Sequence, residues 1–140
     1  MSDNMPETPK GVIAYLTVKD GTAALDFYAK AFGAALQYKK MTDDGKRLLH
    51  AALLMNGGVL MLSDDFPEHN GGVSMAPEAD QPRGITLHMQ VPDCDTAFDQ
   101  AIAAGAAGIM PPADMFWGDR YARLRDPYGH VWSLAHALRK

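Results

Sequence analysis

One pattern constrains this chain more than any other: a strand–helix–strand–strand–strand run that occurs twice. Val18-Lys-Asp20 can be laid on Val91-Pro-Asp93, Ala24-Leu-Asp26 on Ala97-Phe-Asp99, and Gly33-Ala-Ala35 on Gly105-Ala-Ala107, with a single one-residue gap. Matched turns, helix ends and strand order predict an internal duplication. In the first copy, residues 11–18 are rich in β-branched residues and read as a strand. Lys19-Asp20-Gly21 is a turn, with Thr22 a candidate N-cap. Ala24, Phe27, Tyr28, Ala31 and Phe32 then recur at helical spacing, and Gly33 stops the helix. Strands are expected over 35–41, 48–55 and 59–63, with Asn56-Gly57-Gly58 making a hairpin turn. The second copy restarts with a strand over 84–91, an N-cap at Asp95 or Thr96, a helix over 97–104, and a strand opening at Ile109-Met110. It closes on a hairpin turned by Asp126-Pro127-Tyr128-Gly129. A helix with one apolar stripe in each copy needs a sheet to cover it, so the fold class is α+β.

The boundaries that follow are a flexible lead over 1–10, a first module over 11–63, a linker over 64–83 and a second module over 84–140, all within one domain. The linker is rich in Pro, Gly and acids and has no period, and its length suggests a functional loop. At 140 residues with 47% apolar and 21% charged side chains, the chain is long enough to bury a core and too apolar for disorder. A net charge of −4 gives no reason to expect nucleic acid as a partner. No apolar run is long enough to span a membrane, and the N-terminus lacks a signal-peptide layout, so a cytoplasmic location is expected. A single cysteine, Cys94, excludes an internal disulfide and a cysteine-cluster zinc site.

The closing hairpin is the best candidate for a site wall, because aromatic and charged residues gather there beyond what a hairpin needs. Alternation puts Trp132 and Ser133 on opposite sides, with His130 on the side of Trp132. Before the turn, Phe116 and Trp117 could form an aromatic lid and Arg120 an anion clamp. The alternative is a tight turn with Asp119 and Arg120 ion-paired. His88 shares a strand face with Thr86 and Gln90; three polar residues there suit a pocket floor or a hydrogen-bonded barrel histidine. His50 reads as packed beneath the sheet or at the rim, and Asp64-Asp65 as a solvated loop start. No phosphate-cradling glycine loop, nucleophile elbow or zincin motif occurs.

Taken together, Val18-Lys-Asp20, Phe27-Tyr28, Phe32-Gly33, Leu87-His88-Met-Gln-Val91-Pro-Asp93, Ala104-Gly105-Ala106, Phe116-Trp-Gly-Asp-Arg-Tyr121 and Asp126-Pro-Tyr-Gly-His-Val-Trp-Ser-Leu134 resemble the vicinal oxygen chelate superfamily. This is the glyoxalase, bleomycin-resistance and dioxygenase fold, and the chain is most similar to its PhnB-like branch. The resemblance implies paired βαβββ modules curled into an eight-stranded half-open barrel, commonly completed across a homodimer. It also implies a divalent metal on four inward side chains in the enzymes. Those positions fall on Met61 and Ser133 on the last strands, and near Ile13 and on Thr86 or His88 on the first strands. Ile, Met and Ser are poor ligands for a hard cation, so no cofactor is expected, and His88 alone could contribute to a metal.

The expectation is therefore a homodimeric binder of a small organic ligand, held by His88, Gln90, Thr86, Phe116, Trp117, Arg120, Tyr121 and Ser133. One alternative is a divalent-metal-dependent glyoxalase-like lyase, isomerase or dioxygenase using His88 with His50, His69 or Asp64. Another is a bleomycin-resistance-type protein sequestering a cationic drug in an acidic groove of Asp64, Asp65, Glu68 and Asp114.

Overall fold

The computed structural model describes residues 9–78, 81 and 84–138. Most of the expected lead and part of the expected linker lie outside the described residues. Among the described residues, eight strands and two α-helices form in the order strand β1 (Tyr15–Val18), helix α1 (Gly21–Phe32), strands β2 (Ala35–Met41), β3 (Leu48–Met55) and β4 (Gly58–Asp64), a 3-10 turn (Pro67–His69), strand β5 (Leu87–Gln90), helix α2 (Cys94–Ala104), then strands β6 (Ala107–Asp114), β7 (Asp119–Arg125) and β8 (Val131–Ala137). They build two four-stranded sheets of identical topology, β1-β4-β3-β2 and β5-β8-β7-β6, each with one parallel pair at its first strand. The duplication, the α+β class and the strand order expected from sequence all hold.

Several boundaries move. Both first strands are only four residues long, shorter than the β-branched runs suggested, and pair only over Tyr15–Val18 and Leu87–Gln90. The N-caps are Asp20 and Asp93, not Thr22, Asp95 or Thr96. Each sits in extended backbone and accepts from the amide three residues on, at 3.1 Å in both copies. Strand β6 runs through Pro111-Pro112, which an edge strand tolerates because proline has no N–H to lose from a ladder; the register shifts there. Asn56-Gly57 makes the expected tight turn, with φ of 52° and 77° at the two central residues.

One apolar core runs through both copies. Leu16, Val18, Leu53, Leu60 and Leu62 of the first sheet join Met89, Leu124, Trp132 and Leu134 of the second, around Ala24, Phe27 and Tyr28 of α1 and Ala101 of α2. The rings of Phe32 and Trp132 lie 4.7 Å apart, so α1 packs on the strand that carries Trp132. Two turns also cross between copies at equivalent places. The Asn56 amide donates to the Gln90 carbonyl at 2.8 Å, and His130 Nε2 donates to the Thr17 carbonyl at 2.9 Å. Strands β1 and β5 share no hydrogen-bonded ladder.

Asp64 corrects the expectation of a solvated loop start. It is 7% exposed, and its carboxylate accepts from the Gly21 amide at 2.8 Å and the Leu48 amide at 2.6 Å. It thereby ties the start of α1 to the start of β3, and only glycine fits at position 21, where a Cβ would meet Leu48 Cβ at 2.6 Å. His136 takes the equivalent role in the second copy, its Nδ1 accepting from the Cys94 amide at 2.7 Å. Asp64→Ala strands two buried amides that had charge-assisted partners, so we expect a loss of about 3 kcal/mol or more in urea unfolding. Asp64→Asn should lose less, since its amide oxygen can still serve one donor. Burial pushes the Cys94 thiol up to about 11 from its ordinary 9.0, and the thiol donates to the Leu134 carbonyl. A native chain that keeps this proton while the unfolded chain loses it is less stable as pH rises from 9.0 toward 11. At pH 8 a disulfide reagent should label Cys94 no faster than the protein unfolds; rapid stoichiometric labelling would contradict this burial.

Candidate functional site

The second sheet has two chemically different faces. Register pairs Leu87 with Trp132 and Met89 with Leu134 on the core side, and His88 with Ser133 and Gln90 with Ala135 on the other. Strand β7 adds Tyr121 opposite Ala135 and Arg123 opposite Ser133 to that second face. Hydrogen bonds link these side chains in two short chains. Ser133 Oγ lies 2.6 Å from His88 Nδ1, and His88 Nε2 lies 2.6 Å from Gln90 Oε1. Because an amide oxygen only accepts, Nε2 carries the proton, and in the neutral ring Nδ1 accepts from the Ser133 hydroxyl. Alongside, the Arg123 guanidinium donates to Tyr121 Oη and Thr86 Oγ1, both at 3.0 Å. The His88 and Tyr121 rings are nearly parallel with centroids 6.2 Å apart. Trp117 stands edge-on to Tyr121 at 5.4 Å, and Phe116 edge-on to Trp117 at 5.1 Å.

Six of the residues expected from sequence therefore share one surface: Thr86, His88, Gln90, Trp117, Tyr121 and Ser133. Phe116 extends it outward and is 97% exposed. Arg120 does not join them. Its neighbours in alternation are Ala122 and Leu124 on the core side, and it pairs with Asp95 at 3.0 Å and Asp114 at 2.9 Å rather than with Asp119. Those carboxylates hold its guanidinium above its usual pKa. Asp119 instead accepts from the Trp117 indole N–H at 3.2 Å. Trp132, 2% exposed, packs on α1 as its parity required.

Sequence reading passed over Arg123, although it lies two residues from Tyr121 and so on the same strand face. Of the two placements expected for His50, the one beneath the sheet does not hold. This histidine lies on the open face of the first sheet, where its Nδ1 is 2.7 Å from the hydroxyl of Tyr15, which stands opposite Met61. Desolvation raises the Tyr15 phenol above its usual pKa.

The four positions at which the fold's enzymes hold a metal can now be read from register. Ile13 precedes β1; Tyr15 faces Met61, and His88 faces Ser133. A phenol, a thioether, one imidazole with both nitrogens engaged and a hydroxyl do not make a donor set for a divalent cation. Nor do the supplementary residues help: Asp64 is spent on two amides, and the His69 ring lies against Phe66. Among the described residues, no three His, Cys, Asp or Glu side chains converge. The residues present do not fit the superfamily's metal. The acids that a cationic ligand would need are likewise engaged separately. Glu68 is bound by Arg47, which holds its carboxyl down at about 2; Asp65 takes Ser74 and the Met75 amide, and Asp114 takes Arg120.

Comparison with known proteins agrees with this architecture. Residues 11–134 match the Glyoxalase/Bleomycin resistance protein/Dioxygenase superfamily. An uncharacterized protein of Mycobacterium bovis is 44% identical over 126 residues, which cover 90% of this chain and 82% of that protein. The crystal structure of TioX from Micromonospora sp. ML1 superposes with a TM-score of 0.69 at 27% identity, over 92% of this chain and 99% of TioX. A PhnB protein from Bacillus cereus superposes equally well, with a TM-score of 0.69 over 91% of this chain and 100% of its own; its 19% identity speaks for the fold alone.

The geometry separates the two tryptophans, since Trp117 is 51% exposed and Trp132 is buried. Acrylamide quenching should resolve one accessible and one shielded emitter, and Trp117→Phe should remove the accessible one. A single uniform quenching constant in the native protein would contradict the placement of Trp117 at the open face.

Proposed function

We propose, from the premise that this chain belongs to the glyoxalase/bleomycin resistance protein/dioxygenase superfamily, that it is a PhnB-like small-molecule-binding protein that works without the superfamily's four-ligand metal. The observation that carries this reading is the joint placement of Thr86, Arg123, Tyr121, His88, Gln90 and Ser133 on one open sheet face. Polar groups fixed by mutual hydrogen bonds supply orientation, while Tyr121 and Trp117 supply flat apolar contact, which is the usual division of labour in a ligand pocket. His88 and Gln90 are exposed and can meet a ligand directly, whereas Ser133, 2% exposed, holds the imidazole from behind and Gln90 fixes its tautomer. No oxyanion-stabilising pair of amides is free on a strand whose backbone is committed to its ladders, which disfavours acyl transfer at Ser133. A second copy of the chain closes the site, a reading supported by the exposure of Phe116, Trp117, Tyr15 and Leu54.

Thermal shift tests the proposal. After treatment with a chelator, Ni²⁺, Mn²⁺ or Zn²⁺ should leave Tm unchanged, whereas an organic ligand at a hundred times its Kd should stabilise the protein by about 2.7 kcal/mol. A metal held by four protein atoms, seen by anomalous scattering, would overturn it.

A further inference from the structure

We infer that the ligand is an organic anion, a carboxylate or phosphate on a flat body, gripped by Arg123 and Arg125; this rests on the binding reading above. Strand alternation sends Tyr121, Arg123 and Arg125 to the same face of β7, away from the buried Ala122 and Leu124. Arginines elsewhere among the described residues are charge-paired: Arg47 with Glu68, and Arg120 with Asp95 and Asp114. Arg123 is different, because both of its hydrogen-bonded nitrogens donate to neutral oxygens, those of Tyr121 and Thr86. Arg125 goes further: its Nε is buried and has no hydrogen-bond partner.

A guanidinium is always charged and presents a planar fork of donors suited to carboxylate and phosphate oxygens. Removing such a group from water without an acceptor is costly, and an anion on the outer nitrogens of the same guanidinium would offset part of that cost by compensating its charge, although Nε itself has no exposed surface. The nearest acid on the same strand face, Asp119, lies at the far end of β7 and is taken by Trp117. Two uncompensated arginines on one face are not a consequence of overall charge, since the chain carries −4. The neighbouring rings of Tyr121 and His88 lie nearly parallel, which offers a flat ligand body a stacking surface beside the charged groups. Arg123, bridging Thr86 on the β5 side and Tyr121 on β7, is held in place before the ligand arrives, which lowers the entropy lost on binding.

The test uses the full-length protein and three matched probes, 1-naphthoate, 1-naphthyl phosphate and uncharged 1-naphthamide, measured by calorimetry and thermal shift. The expected result is that at least one anion binds tenfold or more tightly than the amide, and that its affinity falls as NaCl rises from 50 to 500 mM, since salt screens exposed charges. Naphthyl phosphate the tighter would identify a phosphate-type ligand, and naphthoate the tighter a carboxylic acid. Arg123→Gln should reduce anion affinity by roughly 10- to 100-fold, the range expected for lost charge-assisted hydrogen bonds. Arg120→Gln, whose side chain lies on the other face, should not. Arg125→Met carries the sharper signature: weaker anion binding together with an unchanged or raised Tm in the free protein, because it removes a buried donor that has no partner. A merely structural Arg125 would give a lower Tm, which would count against the inference. Equal binding of all three probes, or anion affinity unchanged by Arg123→Gln, would overturn the anion assignment and leave the binding reading standing. Failure of all three probes to bind would overturn both.

Discussion

The carboxylate of Asp126 is the contact on which the arrangement of the two halves depends. Buried to 3% exposure, it serves four donors. One oxygen accepts from the Tyr128 and His130 amides of its own turn, at 2.9 and 3.0 Å. The other accepts from Trp132 Nε1 at 2.9 Å and from the hydroxyl of Tyr28 on α1. Every lone-pair direction of a carboxylate is thereby used, which is how a charge survives in an apolar core. Burial and the adjacent carboxylate push the Tyr28 phenol well above its usual pKa, so it remains a donor. The turn, the register of the β7–β8 hairpin and the docking of the first copy's helix are fixed together. That register decides which side chains of β7 and β8 meet on the open face, and Ser133, Arg123 and Tyr121 meet there because Asp126 closes the turn where it does.

The two copies solve the same structural problem with different chemistry. Each needs the first amide of its helix anchored to the end of its last strand. The first copy uses a carboxylate, Asp64, with a glycine at the helix start so that the groups can approach. The second uses an imidazole, His136, acting on Cys94. Asp20 and Asp93 cap both helices alike. The copies also differ on their open faces. Where the second sheet sets His88 against Ser133, the first sets Tyr15 against Met61. Paired arginines are a feature of the second half's open face, while the first half sets Tyr15 and Met61 beside His50, with Lys40 opposite it in the ladder.

Much of this was legible before any coordinates. Period-two alternation assigned Ser133 to one side and Trp132 to the other, because a strand leaves no freedom in that choice once the turn is known. Asn56-Gly57 and Asp126-Pro127 announced their turns by composition. The helix starts were misread by two or three residues because several residues in each stretch can cap, and only the backbone conformation at Asp20 and Asp93 selects one. Asp64 was misread for a deeper reason. Adjacent acids look solvated in a sequence, and its two donors, on Gly21 and Leu48, are brought to it only by the tertiary fold. Arg120 and Arg123 illustrate the same limit. Both are arginines in one strand, and their roles diverge because α2 and β6 place Asp95 and Asp114 beside one and not the other.

The seam between the two sheets has a consequence of its own. The short strands β1 and β5 are not zipped together; two side chains, Asn56 and His130, reach from the opposite copy's turn to a carbonyl at the strand end. A ladder would lock the aperture between the sheets to a fixed spacing. Two basting stitches leave it adjustable, so altering the turn residues that make them could widen or narrow the opening while each sheet kept its own bonding intact. In a scaffold built by doubling, this is a route by which descendants could accommodate differently sized guests without redesigning their walls.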